Sequence, residues 1–91
     1  MAAMDLLGRR WTLRVLWELR AGPLGARALL AACVGLSSSV LYERLRELTN
    51  ASLVVQGDSG EYDLTRLGRE LGDSLQPLDA WARRWSKALD A

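Results

Sequence analysis

Residues 37–65 read SSSVLYERLRELTNASLVVQGDSGEYDLT, and this stretch decides the fold. Apolar side chains recur every three or four positions in its first half, which predicts an amphipathic helix over residues 37–51 with Ser37 as its N-cap. The buried face of that helix would consist of Leu41, Leu45 and Leu48. In the second half, two short β-prone runs flank an Asp-Ser-Gly turn, which predicts a hairpin over residues 53–64. The stretch therefore encodes a helix that leads directly into a two-stranded hairpin.

Helical patterns also precede this stretch. Apolar residues four positions apart predict N-terminal helices over residues 1–21, with Gly8 as an interruption near the start. These helices end at Gly22 and Pro23, because glycine favours a helix C-terminus and proline cannot continue a helix. A short helix follows, so that residues 25–51 together form a predicted helix-turn-helix.

A long helix is predicted after the hairpin. Along residues 65–90, apolar residues are spaced by threes and fours in a near-heptad pattern, and Thr65 is the expected N-cap. Pro77 lies inside this pattern, and we expect it to kink the helix or to divide it in two. The predicted fold is mainly α with a small β-hairpin, in a single domain over residues 1–91. The order of elements is that of a winged helix-turn-helix with terminal dimerisation helices, in which the helix over residues 37–51 enters the major groove of DNA.

The outward face of that helix bears groups that can read DNA. The side chains opposite its leucines offer hydroxyl, carboxylate, guanidinium and amide groups. They are Ser39, Glu43, Arg46 and Asn50. In the major groove, arginine binds guanine, asparagine binds adenine and glutamate accepts from cytosine. The alternative at this point is an ordinary solvated helix face that carries a Glu43–Arg46 ion pair.

The composition excludes most enzyme chemistry. The chain has 91 residues, of which 49% are hydrophobic and 25% charged, and this leaves room for one small domain. It has no histidine and a single cysteine, Cys33, so imidazole catalysis, nucleophile triads and Cys/His zinc sites are not expected. No catalytic residue, cofactor or metal is predicted. The sequence shows neither a signal-peptide pattern nor an apolar run long enough for a membrane span, and we expect a cytoplasmic protein.

Charge is unevenly distributed along the chain. Residues 1–35 contain five arginines and two acidic residues, whereas residues 57–91 contain seven acidic and five basic residues. The formal net charge of the whole chain is only +1. We therefore expect a polyanion such as DNA to meet the first part of the chain.

A series of short motifs runs through nearly the whole sequence. In order, they are Leu6-Leu7-Gly8, Trp11-Thr12-Leu13, Leu16, Glu18-Leu19, Gly22-Pro23-Leu24, Ser37, Val40-Leu41, Glu43-Arg44-Leu45-Arg46-Glu47-Leu48, Leu53-Val54, Glu61-Tyr62, Leu64-Thr65, Leu67-Gly68-Arg69 and Trp81. In these motifs the chain resembles a known family, the HxlR-type winged helix-turn-helix transcriptional regulators of bacteria. The resemblance implies a dimeric DNA-binding regulator whose terminal helices form the dimer contact.

The chain departs from the family pattern in two places. Its predicted hairpin is shorter than the family's wing, and the tip over residues 57–61 lacks the family's Pro-Pro and basic residue. Because an acidic tip repels phosphate, we expect the wing to contribute little to DNA binding. Some family members sense oxidants through a cysteine just before the Leu-Leu-Gly motif, where this chain has Asp5, so that role is not carried over. Cys33 is interpreted as a small core residue.

The leading hypothesis is a sequence-specific regulator that binds double-stranded DNA as a homodimer, with a small-molecule effector left open. The predicted DNA-binding residues are Ser38, Ser39, Tyr42, Glu43 and Arg46, with Arg27 and Arg44 on the phosphate backbone. The predicted dimer-interface residues are Leu7, Trp11, Leu71, Leu75, Leu78, Trp81 and Trp85. The alternative is a winged-helix interaction module that has lost DNA affinity, which the pI of about 7.9 and the acidic wing favour. An enzyme is a distant third.

Overall fold

The structure, a computed structural model, describes residues 2–91 as five helices and a two-stranded antiparallel sheet. The helices are α1 (Ala2–Leu7), α2 (Thr12–Leu19), α3 (Ala26–Ala32), α4 (Ser38–Asn50) and α5 (Arg66–Asp90), and the strands are β1 (Val54–Gln56) and β2 (Tyr62–Leu64). Met1, the first residue of the predicted N-terminal segment, lies outside the described residues. The predicted fold class, mainly α with a small hairpin, is confirmed.

Two predicted N-caps are confirmed. The side-chain oxygen of Ser37 accepts from the Val40 backbone N–H at 3.3 Å, and that of Thr65 accepts from the Gly68 N–H at 3.1 Å. Each bond satisfies a backbone donor that a helix leaves without an internal partner at its N-terminus. The Thr65 hydroxyl also donates to the Ser52 carbonyl at 2.6 Å, which ties the start of α5 to the loop after α4.

The segment between α1 and α2 is an irregular connection over residues 8–11. A Cβ added at Gly8 would lie 2.8 Å from the Met4 carbonyl oxygen, so a side chain would clash there, and the interruption predicted at this glycine is confirmed. Trp11, the last residue of the connection, has a φ of 78°, which is uncommon for a residue with a bulky side chain. Contacts with the rest of the protein must hold this conformation.

The hairpin is extended by a backbone pairing that the sequence pattern did not indicate. β1 and β2 pair with Val54 opposite Leu64 and Gln56 opposite Tyr62. Leu24, in the segment between α2 and α3, exchanges two backbone hydrogen bonds of 2.8 and 2.9 Å with Tyr62. This pairing attaches the wing to the helix-turn-helix.

The core consists mainly of leucines that the helices direct towards one another. Its most deeply buried members are Val15, Leu16, Leu19, Leu29, Cys33, Leu41, Leu45, Leu48 and Val54. Leu75 is the last residue along α5 that belongs to this core. α5 approaches the wing closely because Gly68 has no side chain, and a Cβ there would clash with the Leu53 carbonyl. The wing and α5 are therefore packed against the same core as α4.

α5 is one continuous helix of 25 residues. Of the two outcomes that we expected at Pro77, a kink or a division of the helix, the division is not observed. Pro77 is exposed, so its ring displaces no core side chain, and the helix accommodates the missing N–H. A helix of this length extends about 37 Å, and the molecule accordingly measures 48 Å along its longest axis. Within residues 2–91, no helix combines the length and the apolar character that crossing a membrane requires.

Candidate nucleic-acid interface

α4 presents one face to the core and the other to solvent. Leu41 and Leu48 are fully buried and Leu45 is 2% exposed, as the periodicity predicts. These leucines fix the inner face of the helix, so the outer face is held in one orientation. A helix with a fixed, exposed outer face is the element that a helix-turn-helix protein inserts into the major groove.

The side chains predicted to contact bases share the exposed face of α4. They are Ser38, Ser39, Tyr42, Glu43 and Arg46. The ion pairs of α4 involve Arg44, Glu43 and Glu47, and Arg46 takes part in none of them. The Glu43–Arg46 pair of a simply solvated helix is not among the ion pairs of residues 2–91, and Glu43 Oε1 lies 3.7 Å from Arg44 Nη1 instead. Within residues 2–91 the Arg46 guanidinium has no ion-pair partner, and it can bind an external acceptor.

The two arginines predicted to contact phosphate differ in environment. Arg27 is exposed on α3, and the phosphate contact assigned to it stays a prediction. Arg44 is only 12% exposed, and its guanidinium donates to the Arg10 carbonyl at 2.9 Å and to Glu47 Oε1 at 2.7 Å. With both directions of its fork occupied inside the protein, Arg44 has little surface left for phosphate. The geometry favours a structural role for Arg44 over the phosphate contact that we assigned from the sequence.

Glu47 is a residue that the sequence did not bring to attention. Besides Arg44, its carboxylate binds Arg9, whose Nε lies 3.0 Å from Glu47 Oε2. The Arg44–Glu47 spacing of three residues is a local signal for an ion pair on a helix. The contact with Arg9 has no such signal, because it depends on how the connection before α2 folds back onto α4.

The tip of the wing is a compact turn with two carboxylates at its surface. The Gly57 N–H donates to the Glu61 carbonyl at 2.8 Å, and the Gln56 side chain donates to the Gly60 carbonyl at 3.1 Å. Asp58 and Glu61 are both exposed, and neither belongs to an ion pair within residues 2–91. This negative tip is poorly suited to a phosphate backbone.

The residues predicted at a dimer interface fall into two groups. Leu7, Trp11 and Leu71 are half-buried and Leu75 is buried, so this group packs largely within the protomer. The second group lies further along α5 and is about half exposed, at 47% for Leu78, 50% for Trp81 and 54% for Trp85. Together with Leu89, which is 66% exposed, these residues form an apolar area that we call the distal surface of α5. The rings of Trp81 and Trp85 stack there, with centroids 5.7 Å apart.

A groove of about 300 Å³ lies between α2 and α5, next to the distal surface. Its lining residues are Leu13, Arg14, Trp17, Leu75, Leu78, Asp79 and Ala82. Because Leu78 belongs to both, the groove continues the distal surface towards the core. Among the tryptophans, Trp17 lines the groove, whereas Trp81 and Trp85 lie outside it.

Cys33 is buried, with 1% of its surface exposed. Desolvation raises the pKa of its thiol above the ordinary value, although Arg14 acts in the opposite direction. Such a thiol holds little thiolate at neutral pH and is a poor target for oxidants. Its burial confirms the interpretation of Cys33 as a core residue.

Comparison with known proteins identifies the family. A model of the HxlR-like helix-turn-helix family matches residues 6–90. The chain belongs to the HxlR-like helix-turn-helix family. The match spans both the helix-turn-helix and the long C-terminal helix, so the resemblance noted in the sequence motifs is confirmed over nearly the whole chain.

Relatives in this family are named as transcriptional regulators. YvaP of Bacillus subtilis, named an uncharacterized HTH-type transcriptional regulator, is 33% identical over 91% of this chain and 82% of its own length. YodB of the same organism, an HTH-type transcriptional regulator, is 30% identical over 98% of this chain and 85% of its own. The crystal structure of quinone-bound YodB superposes with a TM-score of 0.84 at 31% identity, covering 91% of this chain and 93% of that chain. These similarities place the chain among DNA-binding, helix-turn-helix transcriptional regulators.

Proposed function

We propose that the protein is a sequence-specific transcriptional regulator that binds double-stranded DNA as a cytoplasmic homodimer, with α4 in the major groove. The observation that carries this proposal is the outer face of α4, where Arg46 is exposed and outside the ion pairs of the helix. A guanidinium in this position can bind O6 and N7 of guanine with two parallel hydrogen bonds. No comparable exposed basic group stands on the wing tip within residues 57–61.

The other exposed side chains of α4 support the same orientation. Ser38 and Ser39 stand in its first turn, and the first turns of recognition helices are the part that contacts base edges. Tyr42 is 49% exposed and follows one turn later, beside Glu43. Serine hydroxyls bind phosphates or bases, the tyrosine ring reaches a thymine methyl or a phosphate, and glutamate accepts from cytosine. Arg27 on α3 supplies a phosphate contact beside them.

The distal surface of α5 supports the homodimer. It presents four large apolar side chains, including two stacked tryptophans, on a helix whose other half is already packed in the core. Tryptophan is enriched at protein interfaces, whereas such a continuous apolar area is uncommon on a monomer. A two-fold axis between paired α5 helices gives two copies of α4. We expect them to bind half-sites about one helical turn apart on a pseudo-palindrome.

Selection of bound fragments from random DNA tests the proposal, and the preferred site is then used to compare variants. We expect Arg46→Ala to weaken binding by about 1–3 kcal/mol and to relax discrimination at one base position. The matched control is Arg84→Ala, which removes the same charge from an exposed position on α5 and leaves the affinity unchanged. Retention on DNA without salt dependence, or no enriched sequence, would favour the interaction module instead.

The wing is tested in the same titrations. Asp58→Asn combined with Glu61→Gln removes two negative charges that phosphate repels, so binding should stay the same or become tighter. Measurement at two salt concentrations separates this electrostatic effect from a change in base contacts. If Arg46→Ala binds like the parent while the wing variant loses affinity, the wing holds the DNA and the helix contributes little, which is the reverse of the proposal.

A further inference from the structure

A polar network joins the recognition helix to the connection between α1 and α2. We call it the bridge, and it consists of Arg9, Arg10, Arg44 and Glu47. The Arg44 guanidinium donates to the Arg10 main-chain carbonyl at 2.9 Å and to one oxygen of Glu47 at 2.7 Å. The other oxygen of Glu47 binds Arg9 at 3.0 Å. The Glu47 carboxylate thus binds two arginines, and Arg44 binds both this carboxylate and a main-chain carbonyl.

The bridge is partly buried, which distinguishes it from an ordinary surface ion pair. The side chains of Arg44 and Glu47 are 12% and 24% exposed and that of Arg9 is 52% exposed, whereas the Arg66–Glu70 pair on α5 is 94% and 61% exposed. Charge-assisted bonds that are shielded from solvent are stronger and less screened by salt than exposed ones. The planar fork of arginine suits position 44, because it holds N–H groups in two fixed directions, whereas the ammonium of lysine is a compact charge on a flexible stem.

The connection that the bridge holds also helps to determine where α1 lies. α1 has no buried residue of its own, and it meets the rest of the domain through Leu7, which is half-buried against the core, and through residues 8–11. Trp11, in its left-handed conformation, lies beside the turn before α4, where a Cβ added at Gly35 would be 3.8 Å from the indole ring. The connection therefore contacts α4 at Arg44 and Glu47, and it also contacts the turn in front of that helix.

We infer that Arg44 and Glu47 are positioning residues that couple the placement of α1 to the placement of α4. The inference rests on the proposed function, in which α4 binds DNA. A change at α1 is transmitted through the Arg10 carbonyl and Arg9 to the helix that reads the bases. By linkage, DNA bound to α4 stabilises α1 to the same extent.

Hydrogen exchange followed by mass spectrometry tests the coupling, first without DNA. Arg44→Lys keeps the positive charge and loses the fork, so we expect amides of residues 2–10 to exchange about five- to fiftyfold faster than in the parent. Arg69→Lys is the matched control. Arg69 also makes two charge-assisted bonds, to the carboxylate oxygens of Asp63 at 2.9 and 3.1 Å, but these join α5 to the wing. Its variant should leave exchange in residues 2–10 unchanged.

The second arm adds the preferred DNA. In the parent, binding should slow exchange in residues 2–10, and in Arg44→Lys this protection should be lost even at DNA concentrations that saturate the variant. Glu47→Gln provides a second variant, because it removes the charge that holds Arg9 while the amide oxygen still accepts from Arg44. It should lose part of the protection. A parent that binds DNA with no change in residues 2–10 overturns the inference.

Salt titration separates positioning from a direct phosphate contact. If Arg44 positions α4, Arg44→Gln lowers affinity while the slope of log affinity against log salt stays that of the parent. If Arg44 contacts a phosphate, the slope falls by about one in Arg44→Gln and Arg44→Lys binds nearly as well as the parent, which overturns the inference. If the parent binds no DNA, the proposed function fails, and the DNA-free exchange arm alone decides whether Arg44 holds α1 in place.

Discussion

α4 and the distal half of α5 are both amphipathic, but their apolar faces lie in opposite environments. The apolar stripe of α4 is buried within the chain, with Leu41 and Leu48 fully inaccessible. The apolar stripe of α5 is buried only as far as Leu75, and beyond it Trp81 and Trp85 remain half exposed. The same kind of sequence pattern therefore produces a completed core in one helix and an open surface in the other.

This difference shows that apolar residues at every third or fourth position predict a helix, but they do not show whether its apolar face is covered by the same chain or by a partner. A domain of 91 residues has a thin core, and the elements packed around α4 already fill it. α5 is longer than this core, so its last turns project beyond it. Variants in the two helices should consequently differ in whether they affect the stability of the protomer or its association.

The largest effect is expected from a substitution in α4, whose apolar stripe is buried within the chain. Leu48→Ala removes a fully buried side chain from the stripe of α4 and leaves a cavity. We expect the free energy of unfolding to fall by about 2–5 kcal/mol. Urea denaturation at a fixed protein concentration measures it, with Val34→Ala as control, because Val34 is 87% exposed and its truncation should cost little. A Leu48 variant as stable as the parent would show that this stripe is not the core.

Substitutions in the distal surface of α5 should affect the association of protomers. Trp85→Glu places a charge in the distal surface, and we expect the free energy of dimer dissociation to fall by about 2–4 kcal/mol, so that the variant sediments as a monomer. Ala80→Glu makes the same change in charge at an exposed position on another side of α5 and should remain dimeric. If Trp85→Glu sediments as a well-folded dimer, the homodimer must use a different surface.

Whether a region could be predicted depends on how far apart in the sequence its determining contacts lie. α4 and the hairpin could be predicted because periodicity, Ser37 and Thr65 are local signals that agree with the final packing. The pairing of Leu24 with Tyr62 could not, because it joins segments far apart in the sequence and leaves no alternation pattern around a single residue. The boundaries of the elements could thus be predicted from the sequence, but the contacts that join one element to another could not.

The same distinction applies to the candidate site. A helical wheel places Arg46 opposite the leucines, and the structure shows it exposed, because a single helix determines that relation. The wheel also places Arg44 at the edge of the buried stripe, but it does not show that the Arg10 carbonyl comes within 2.9 Å. The charge of Arg44 suggested a phosphate contact, whereas its tertiary partners favour an internal one.

Pro77 lies between the half of α5 that packs in the core and the half that bears the distal surface. Its replacement is expected to have the smallest effect of these variants. In a helix interior, proline costs about 3 kcal/mol relative to alanine because it lacks an N–H and its ring crowds the preceding turn. Alanine also makes the unfolded chain more flexible, which offsets about 0.4–1 kcal/mol of the gain. We therefore expect Pro77→Ala to raise the free energy of unfolding by about 2–2.6 kcal/mol in urea denaturation. The exposed neighbour Gln76 is the control, and Gln76→Ala should change stability by only a few tenths of a kcal/mol. If Pro77→Ala instead lowers stability at concentrations where the parent is dimeric, proline at this position is needed to direct the distal surface of α5 towards its partner.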